Sequence, residues 1–356
     1  MLDVKAARNP TVTRNDRSHP EYFNSVSALV VLRSYGTAEP TTLSCNALRH
    51  PLPFRLTRRK PSPEQVFANE VPTSRRFFRG VKRVLLRPEF VYRNYLRFKF
   101  GAGTLSEAPG PNIANGTLKS RAEWTEAFQR GRRLHLPLHG GAEKNWDHLA
   151  AVSIILANTA RSARILDAGA ETYSNVLPAL FLYGYRDLHG INLSFTAATR
   201  RGPIRYIPGD LTRAPYSDGF FDAITCLSVI EHGVSLPNYF REMFRLLKPN
   251  GLLITSTDYY PTRIDTHGQC AHGTPIRIFS RQDIEDALQL AQSIGFKLTG
   301  EVDLECEERP IRWEPFDLDY TFLLFTLRKP GPALVSSAMP PGSARIRPDS
   351  QRARSG

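Results

Sequence analysis

One stretch of the chain, residues 163–173, constrains its fold most strongly. Ile165 and Leu166 form a short apolar run that ends at Asp167 and Gly169, and an apolar helical pattern begins a few residues later. This order predicts a buried strand, a tight turn and the start of a helix. Such a turn points backbone N–H groups and the positive end of the helix at one place, which suits an anionic or polar ligand group.

Strands and helices alternate along the rest of the chain. Further strands are predicted at Asp187–Leu193, Ile204–Ile207, Phe221–Val229 and Leu252–Thr257, and Lys297–Asp303 with Tyr320–Leu327 is predicted to finish the sheet as a hairpin-like pair. Helices are predicted at Arg121–Arg133, Asn145–Asn158, Ser174–Tyr183, Pro237–Leu247 and Arg281–Ile294. Strands interleaved with helices predict a three-layer α/β domain whose sheet is mostly parallel, with an antiparallel final strand. Only the short segment 195–203 separates two of the predicted strands, so any helix there must be very short.

Composition divides the chain into four parts. Residues 1–72 contain scattered prolines and arginines with little periodicity, which predicts a mostly flexible extension. Residues 73–120 form a basic, aromatic helical segment followed by a linker, and residues 121–330 form the α/β domain. Residues 331–356, rich in Pro, Ser and Arg, are predicted to be a flexible tail.

The net charge of +13 is concentrated in residues 49–100, which contain 14 lysines and arginines but only 3 acidic residues. Three interpretations of the basic segment stay open. Residues 73–100 can bind an anionic membrane surface or nucleic-acid phosphates, or they can pack aromatic side chains on the main domain and leave the arginines in water. Pro88 is expected to break or restart the helix near its middle.

Several classes of protein are excluded by what the sequence lacks. No apolar run approaches the eighteen or so residues of a membrane span, and the first twenty residues do not resemble a secretory signal. The cysteines, at positions 45, 226, 270 and 306, are too widely spaced to indicate a disulfide framework or a zinc site, and no metal site is predicted. We expect a cytoplasmic protein, with a membrane-peripheral location through residues 73–100 as the alternative.

Polar side chains follow the predicted strands at the points where they end. Asp167, Asn192, Asp210 and the pair Glu231-His232 all occupy such positions. In parallel sheets of this kind, ligands bind beyond the carboxyl ends of the strands. We therefore expect these residues to border one ligand site.

Five successive motifs carry a resemblance to a known family. They are Asp-Ala-Gly at 167–169, Gly-Ile-Asn-Leu-Ser at 190–194, Gly-Asp-Leu at 209–211, Phe-Asp-Ala-Ile-Thr-Cys-Leu-Ser-Val-Ile-Glu-His at 221–232 and Arg-Leu-Leu-Lys-Pro-Asn-Gly-Leu-Leu at 245–253. In this order they resemble the class I S-adenosylmethionine-dependent methyltransferases of the type 11 kind, over about residues 145–327. The resemblance implies a Rossmann-like methyltransferase sheet and S-adenosylmethionine as cofactor.

The same resemblance implies roles for single residues. Asp167 and Gly169 would face the methionine end of the cofactor, Asn192 the ribose, and Asp210 with Leu211 the adenine. The Ile-Glu-His segment would border the methyl group and the substrate.

Two features depart from the family pattern, the glycine-rich turn and the residue at the end of the second strand. Glu171 and Tyr173 stand where the glycine-rich turn usually has glycines, and Asn192 stands where an acid is usual. Glu171 is included among the cofactor-binding residues, because its carboxylate can pair with the ammonium of the cofactor's methionine. It can also repel the carboxylate of that same group.

The acceptor side is predicted from the polar residues beyond the fourth and fifth strands. His232 and Asp258 are the candidate catalytic bases, and Glu231, Asp265 and His267 the candidate substrate-binding residues, with His272 nearby. The expected function is O-methylation of a polar small molecule or glycan precursor by an S-adenosylmethionine-dependent methyltransferase. The alternatives are a degenerate methyltransferase fold that acts as a binding or scaffold module, and an RNA-directed methyltransferase that uses the basic segment.

Overall fold

A computed structural model describes residues 81–331, apart from 83, 104, 106, 111–114 and 272. The expectations for the extension 1–72, for residues 73–80 and for the tail beyond 331 lie outside these residues, as does His272. Within the described part of the chain, the helices are all too short or too polar to cross a bilayer.

Ten strands form one twisted sheet, in the order β1-β12-β7-β6-β2-β3-β5-β4, while β10 and β11 pair with the outer edge of β12. The strands are β1 (Gly116–Thr117), β2 (Arg164–Ala168), β3 (Asp187–Asn192), β4 (Thr199–Arg201), β5 (Ile204–Pro208), β6 (Phe221–Leu227), β7 (Leu247–Tyr259), β10 (Lys297–Leu298), β11 (Ile311–Trp313) and β12 (Leu318–Arg328). Strands β5, β3, β2, β6 and β7 are parallel neighbours, and β12 runs antiparallel to β7. The predicted mostly parallel sheet with an antiparallel final strand is confirmed.

Helices cover both faces of the sheet and make it the middle of three layers. They are α1 (Glu89–Phe100), α2 (Arg121–Arg133), α3 (Asn145–Asn158), α4 (Val176–Leu182), α5 (Leu236–Leu246) and α6 (Arg281–Ile294). Helices α1 to α4 contribute to one hydrophobic core and α5 with α6 to the other. Each core is the burial of one apolar helix face against one face of the sheet, which is the main stabilising contribution to such a fold.

The segment before residue 121 belongs to the same core. Leu86, Tyr92 and Leu96 are buried, and the Tyr92 ring stacks on Phe181 of α4 with centroids 5.7 Å apart. Pro88 separates a short helical stretch at residues 81–85 from α1, as its missing N–H and fixed φ predict. Strand β1, within the region expected to be a linker and its border, pairs with β12.

The short segment 195–203 contains no helix. It forms β4 instead, which folds back as an antiparallel partner of β5 and closes that edge of the sheet. Between β7 and α6, β8 (Cys270–Ala271) and β9 (Thr274–Pro275) form a small hairpin within the predicted substrate loop.

Candidate active site

The carboxyl ends of five parallel strands lie along one edge of the sheet, in the order β5, β3, β2, β6, β7. Helix α3 immediately precedes β2 and runs back across the sheet, so its first turn lies at the same edge. Asn145 and Trp146 of that turn are buried; the Asn145 amide donates to three backbone carbonyls, of His139, Gly141 and Ala142. Asn145 therefore fixes the loop before α3 against the first turn of the helix, and Trp146 packs in the core beneath it.

Asp167 faces the interior of this edge. Its carboxylate accepts a hydrogen bond from Thr225 Oγ1 at 2.8 Å. Burial raises its pKa to about 6, while Thr225 and His148 oppose the shift. Gly169 follows with φ +91°, and a Cβ there would overlap the Val229 side chain, so only glycine fits this turn.

Glu171, Asn192 and Ser194 form a hydrogen-bonded group at the ends of β2 and β3, here called the turn cluster. Asn192 Nδ2 donates to the Gly169 carbonyl at 3.0 Å and to Glu171 Oε1 at 3.3 Å, and Ser194 Oγ donates to the same carboxylate oxygen at 2.9 Å. All three residues are half-buried. The Glu171 carboxylate thus comes from the turn after β2 and is bonded by the Asn192 amide at the end of β3.

Asp210 and Leu211 lie next to the turn cluster. The Gly209 N–H donates to the Asn192 carbonyl at 3.2 Å, and Asp210 Oδ1 accepts from the backbone and hydroxyl of Thr212 at 2.7 and 2.8 Å. Leu211 is half-buried against the second core. The structure thus brings Asn192 and Asp210 together, whereas Asp167 points towards Thr225 and His148.

Tyr173 remains largely outside the turn. It is 57% exposed, and its ring lies 5.9 Å from the ring of His139, on the loop before α3. Burial lowers the pKa of His139 to about 4, helped by the neighbouring His148. Tyr173 and His139 therefore lie at the outer, solvent-facing border of the site.

Lys144, Glu231 and Asp258 form a second polar group beyond β6 and β7, here called the buried charge cluster. Lys144 Nζ donates to Ser228 Oγ at 2.8 Å, lies 3.7 Å from Asp258 Oδ1 and sits 4.1 Å from the centroid of the Phe322 ring. Glu231 Oε2 accepts from Thr257 at 3.1 Å. Both carboxyl groups are almost completely buried.

The surroundings of Asp258 and Glu231 bring the pKa of both carboxyl groups close to neutral pH. Burial raises the pKa of both Asp258 and Glu231 to about 7, and the Lys144 ammonium opposes each shift. Burial lowers the pKa of Lys144, but the carboxylates of Asp258 and Glu231 outweigh it and hold that pKa above its ordinary value. At neutral pH Lys144 is therefore charged, whereas the pKa values of Asp258 and Glu231 lie close to the pH of the solution.

One oxygen of this cluster stands out. Among the described residues, nothing donates a hydrogen bond to the buried Asp258 Oδ1, although Lys144 lies nearby. A buried carboxylate oxygen that accepts no hydrogen bond is costly, and a catalytic role is one of the explanations for such an atom. The Tyr320 hydroxyl lies within hydrogen-bonding reach of the same carboxyl group.

The other predicted acceptor-side residues are more exposed. His232 is half-buried and close enough to Asp258 to lower its pKa. Asp265 and His267 are about three-quarters exposed and pair with each other at 3.1 Å. The hairpin β8–β9 that follows them approaches the same region, since a Cβ on Gly233 would lie 3.6 Å from Thr274.

Sequence reasoning missed Lys144, Asp147 and His148. Asp147 is fully buried and accepts from Ser256 Oγ of β7 at 2.5 Å, and His148 Nδ1 bonds the Asn175 side chain. The available signal was four polar residues among five, Lys144, Asn145, Asp147 and His148, at the start of an otherwise apolar helix directly before β2. A helix in that position must begin at the carboxyl edge of the sheet.

Comparison with known proteins decides the class of this site. Residues 166–255 match the family model described as "Methyltransferase domain". These residues form a methyltransferase domain. They contain all five motifs named above, and the resemblance to the class I S-adenosylmethionine-dependent methyltransferases drawn from the sequence is confirmed over them.

Curated relatives cover only part of the chain. A sterol 24-C-methyltransferase from Schizosaccharomyces pombe is 28% identical over 30% of this chain and 29% of its own, and cycloartenol-C-24-methyltransferase 1 from Oryza sativa subsp. japonica is 22% identical over 53% and 58%. A solved S-adenosylmethionine-dependent methyltransferase from Mesorhizobium loti shares 18% identity over 51% of this chain and 97% of its own, with a TM-score of 0.38. The chain thus spans between about a third and three-fifths of the length of the two curated relatives.

The residues of the methyltransferase domain fit the cofactor, S-adenosylmethionine. The turn cluster presents carboxylate, amide and hydroxyl oxygens that suit hydroxyl or ammonium groups, and Asp210 presents a half-buried carboxylate beside it. The exposed ring of Tyr173 leaves this side of the edge accessible. Glu171 and Asn192, which both depart from the family pattern, are joined by a hydrogen bond of 3.3 Å.

Proposed function

We propose that this protein transfers a methyl group from S-adenosylmethionine to a hydroxyl oxygen of a polar small molecule or glycan precursor. The observation that supports this best is Asp258 Oδ1, a buried carboxylate oxygen without a hydrogen-bond donor among the described residues. Such an oxygen suits an acceptor hydroxyl, because it can take a hydrogen bond and then the proton. The surrounding Lys144, Glu231 and Tyr320 suit a polar rather than a hydrocarbon acceptor.

Each cluster has a separate task in this proposal. The bound cofactor supplies a methyl group already activated on a sulfonium, so positioning accounts for much of the rate. The turn cluster and Asp210 hold the adenosyl end. Asp258 accepts the proton of the hydroxyl, Lys144 favours the ionised carboxylate that can do so, and His232 is the nearby group to which that proton can pass.

C-methylation of a lipid is the second candidate. Its support is the printed activity of the relatives, sterol 24-C-methyltransferase and cycloartenol-C-24-methyltransferase. Methylation of a carbon–carbon double bond develops positive charge, which the buried carboxylates of Glu231 and Asp258 would favour. The Lys144 ammonium 3.7 Å from Asp258 argues against this use of the cluster.

The test has two stages on the full chain. Calorimetric titration with S-adenosylhomocysteine comes first, and we expect saturable binding. Methyl transfer from radiolabelled S-adenosylmethionine into a cell extract is then measured. The unreacted donor is removed by cation exchange, the label that depends on the added protein is partitioned between water and hexane, and we expect it in water. The variant Asp258→Asn should lower transfer by roughly 10²- to 10⁴-fold, the usual contribution of a positioned base, while Asp218→Asn, on an exposed side chain, serves as the matched control.

Each alternative has its own outcome. Label in hexane would support C-methylation of a lipid, and label in extracted RNA would support the RNA-directed enzyme. Absence of heat with S-adenosylhomocysteine would support the binding or scaffold module.

A further inference from the structure

Helix α1 turns an apolar face to solvent. Phe90 and Phe98 are 73% and 92% exposed. At about 100° per residue, Phe90, Phe98 and Arg97 share one side of the helix. Tyr92 and Leu96, which anchor α1 in the core, lie on the opposite side.

The apolar face continues into the stretch before the helix. Val81, Val84 and Leu85 are 39%, 57% and 59% exposed. Leu86 is buried, and its carbonyl accepts from the Gly202 N–H at 2.8 Å, which fixes the stretch on the domain. Five large apolar side chains within 18 residues are thus displayed on an anchored element, a concentration that marks an interaction surface.

Positive charge surrounds these side chains. Residues 81–100 contain six lysines and arginines and a single acidic residue, Glu89. The Glu89 carboxylate is already paired with Arg186 at 2.7 Å, so it does not offset the rest. The surface is therefore cationic as well as apolar.

A cleft of about 690 Å³ opens beside the start of α1. Arg87, Arg200 and Arg205 line it, together with Glu89 and Tyr206. Arg205 is 57% exposed and lies 3.6 Å from Asp187, and Arg200 Nε donates to the Gly202 carbonyl at 2.7 Å, so both side chains are held beside the cleft. Three arginines at one cleft suit a phosphate group.

We propose that this face docks on a bilayer that contains anionic phospholipids. Phe90, Phe98 and the aliphatic side chains before them enter the interface, and the arginine-lined cleft takes phosphate head groups. Nucleic acid would be served by the charge and the phenylalanines, but the exposed Val81, Val84 and Leu85 cannot stack on bases. The inference concerns the partner of the protein and does not rest on the proposed methyl acceptor.

Vesicle flotation of the full chain tests the proposal. We expect the protein to float with vesicles of phosphatidylcholine mixed with phosphatidylglycerol and to stay behind with phosphatidylcholine alone. The double variant Phe90→Ser, Phe98→Ser should weaken binding about 100-fold, at about tenfold per buried aromatic side chain. The double variant Arg87→Gln, Arg97→Gln should weaken it about fivefold per charge.

Matched controls come from the opposite side of the molecule and from another edge. Arg241→Gln with Lys297→Gln removes two exposed charges from the layer of α5 and α6, and Leu193→Ser removes an exposed apolar side chain after β3. Both should bind vesicles like the wild type. Circular dichroism checks folding, which exposed substitutions should leave intact.

Three results would overturn the inference. One is a wild-type chain that stays behind with the anionic vesicles at low salt. Another is vesicle binding that is lost with the charges yet unaffected by the two phenylalanines. The third is retention on polyuridylate without retention on vesicles, which would assign the surface to nucleic acid.

Discussion

The turn cluster and the buried charge cluster lie on one sheet edge, but their carboxylates differ in burial and in hydrogen bonding. In the turn cluster, a half-buried carboxylate is bonded by neighbours from the next strand, Asn192 and Ser194. In the buried charge cluster, two carboxyl groups are almost fully buried around one ammonium, and one carboxylate oxygen lacks a donor among the described residues. The first arrangement is the one that we propose holds the cofactor, and the second is the one that we propose exchanges a proton.

Burial is the physical source of this difference. A half-buried carboxylate such as that of Glu171 keeps much of its hydration. Its hydrogen-bond partners therefore fix the orientation of the side chain. A buried carboxylate loses that hydration, and its pKa rises unless a cation compensates. In the proposed function, acidic side chains therefore bind the cofactor at one end of the sheet edge and take part in acid–base chemistry at the other, because their burial differs.

The sharpest way to break the comparison is to remove the ammonium of the buried charge cluster. We expect Lys144→Met to lower the free energy of unfolding by about 3 kcal/mol at pH 8, because it leaves buried carboxylates without their cation. The loss should shrink at pH 5, where Asp258 and Glu231 are protonated. Urea unfolding measures both values.

Lys248→Met is the matched control for that variant. Lys248 pairs with Asp222 at 2.8 Å, but its side chain is 40% exposed, and such pairs contribute about 1 kcal/mol or less. Equal losses for the two lysines would contradict the distinction between a buried and a surface pair.

The pH dependence of stability sharpens the comparison next. Because the pKa of Asp258 in the folded state, about 7, lies above its unfolded value, the folded state binds the proton more tightly between about pH 4 and 7. This group therefore stabilises the fold at the acid end of that window, and its contribution is lost as pH rises through 7. We expect the free energy of unfolding of wild type minus that of Asp258→Asn to fall by up to about 1.4 kcal/mol per pH unit.

Unfolding in urea across that pH window measures the difference. A flat difference for Asp258→Asn would show that the carboxyl group is not perturbed.

The smallest expected effect belongs to the turn cluster. Glu171→Gln should weaken S-adenosylhomocysteine binding about tenfold in calorimetry, since it replaces a charged acceptor by a neutral amide. Stability should change little, because the amide can still accept from Ser194. Glu301→Gln, on an exposed residue, is the control, and unchanged affinity in Glu171→Gln would remove this carboxylate from the cofactor site.

Much of the fold followed from sequence patterns, because local signals specify elements one by one. Helices α2, α3 and α6 have the predicted limits, and α6 shows why: Ser280 and Asp283 form a reciprocal capping box, and Gly295 ends the helix with φ +117°. The hydrophobic run of β7 identified its centre, but the strand extends to Leu247 and Tyr259 through pairing with β6 and β12. Strand β4 escaped prediction because its only support is a single antiparallel neighbour.

The candidate site was predictable in part for the same reason. The ends of predicted strands identified Asn192, Asp210 and Glu231, whereas the partnership of Glu171 with Asn192 depends on two turns meeting in space. Lys144 is 87 residues from Glu231 and 114 from Asp258 along the chain. No local pattern indicates such a contact.

By itself, the sequence determined the alternation of strands and helices, the methyltransferase motifs and the polar residues that end the strands. Each of these is written within a few consecutive residues, where periodicity, turns and caps act. Only the tertiary structure decided that α3 begins beside β7 and that Lys144 lies beside two buried acids. It also decided that one face of α1 packs on the core while Phe90 and Phe98 on the other face are exposed. These features arise from which distant elements become neighbours, and burial, which sets their charge and exposure, exists only once those neighbours are in place.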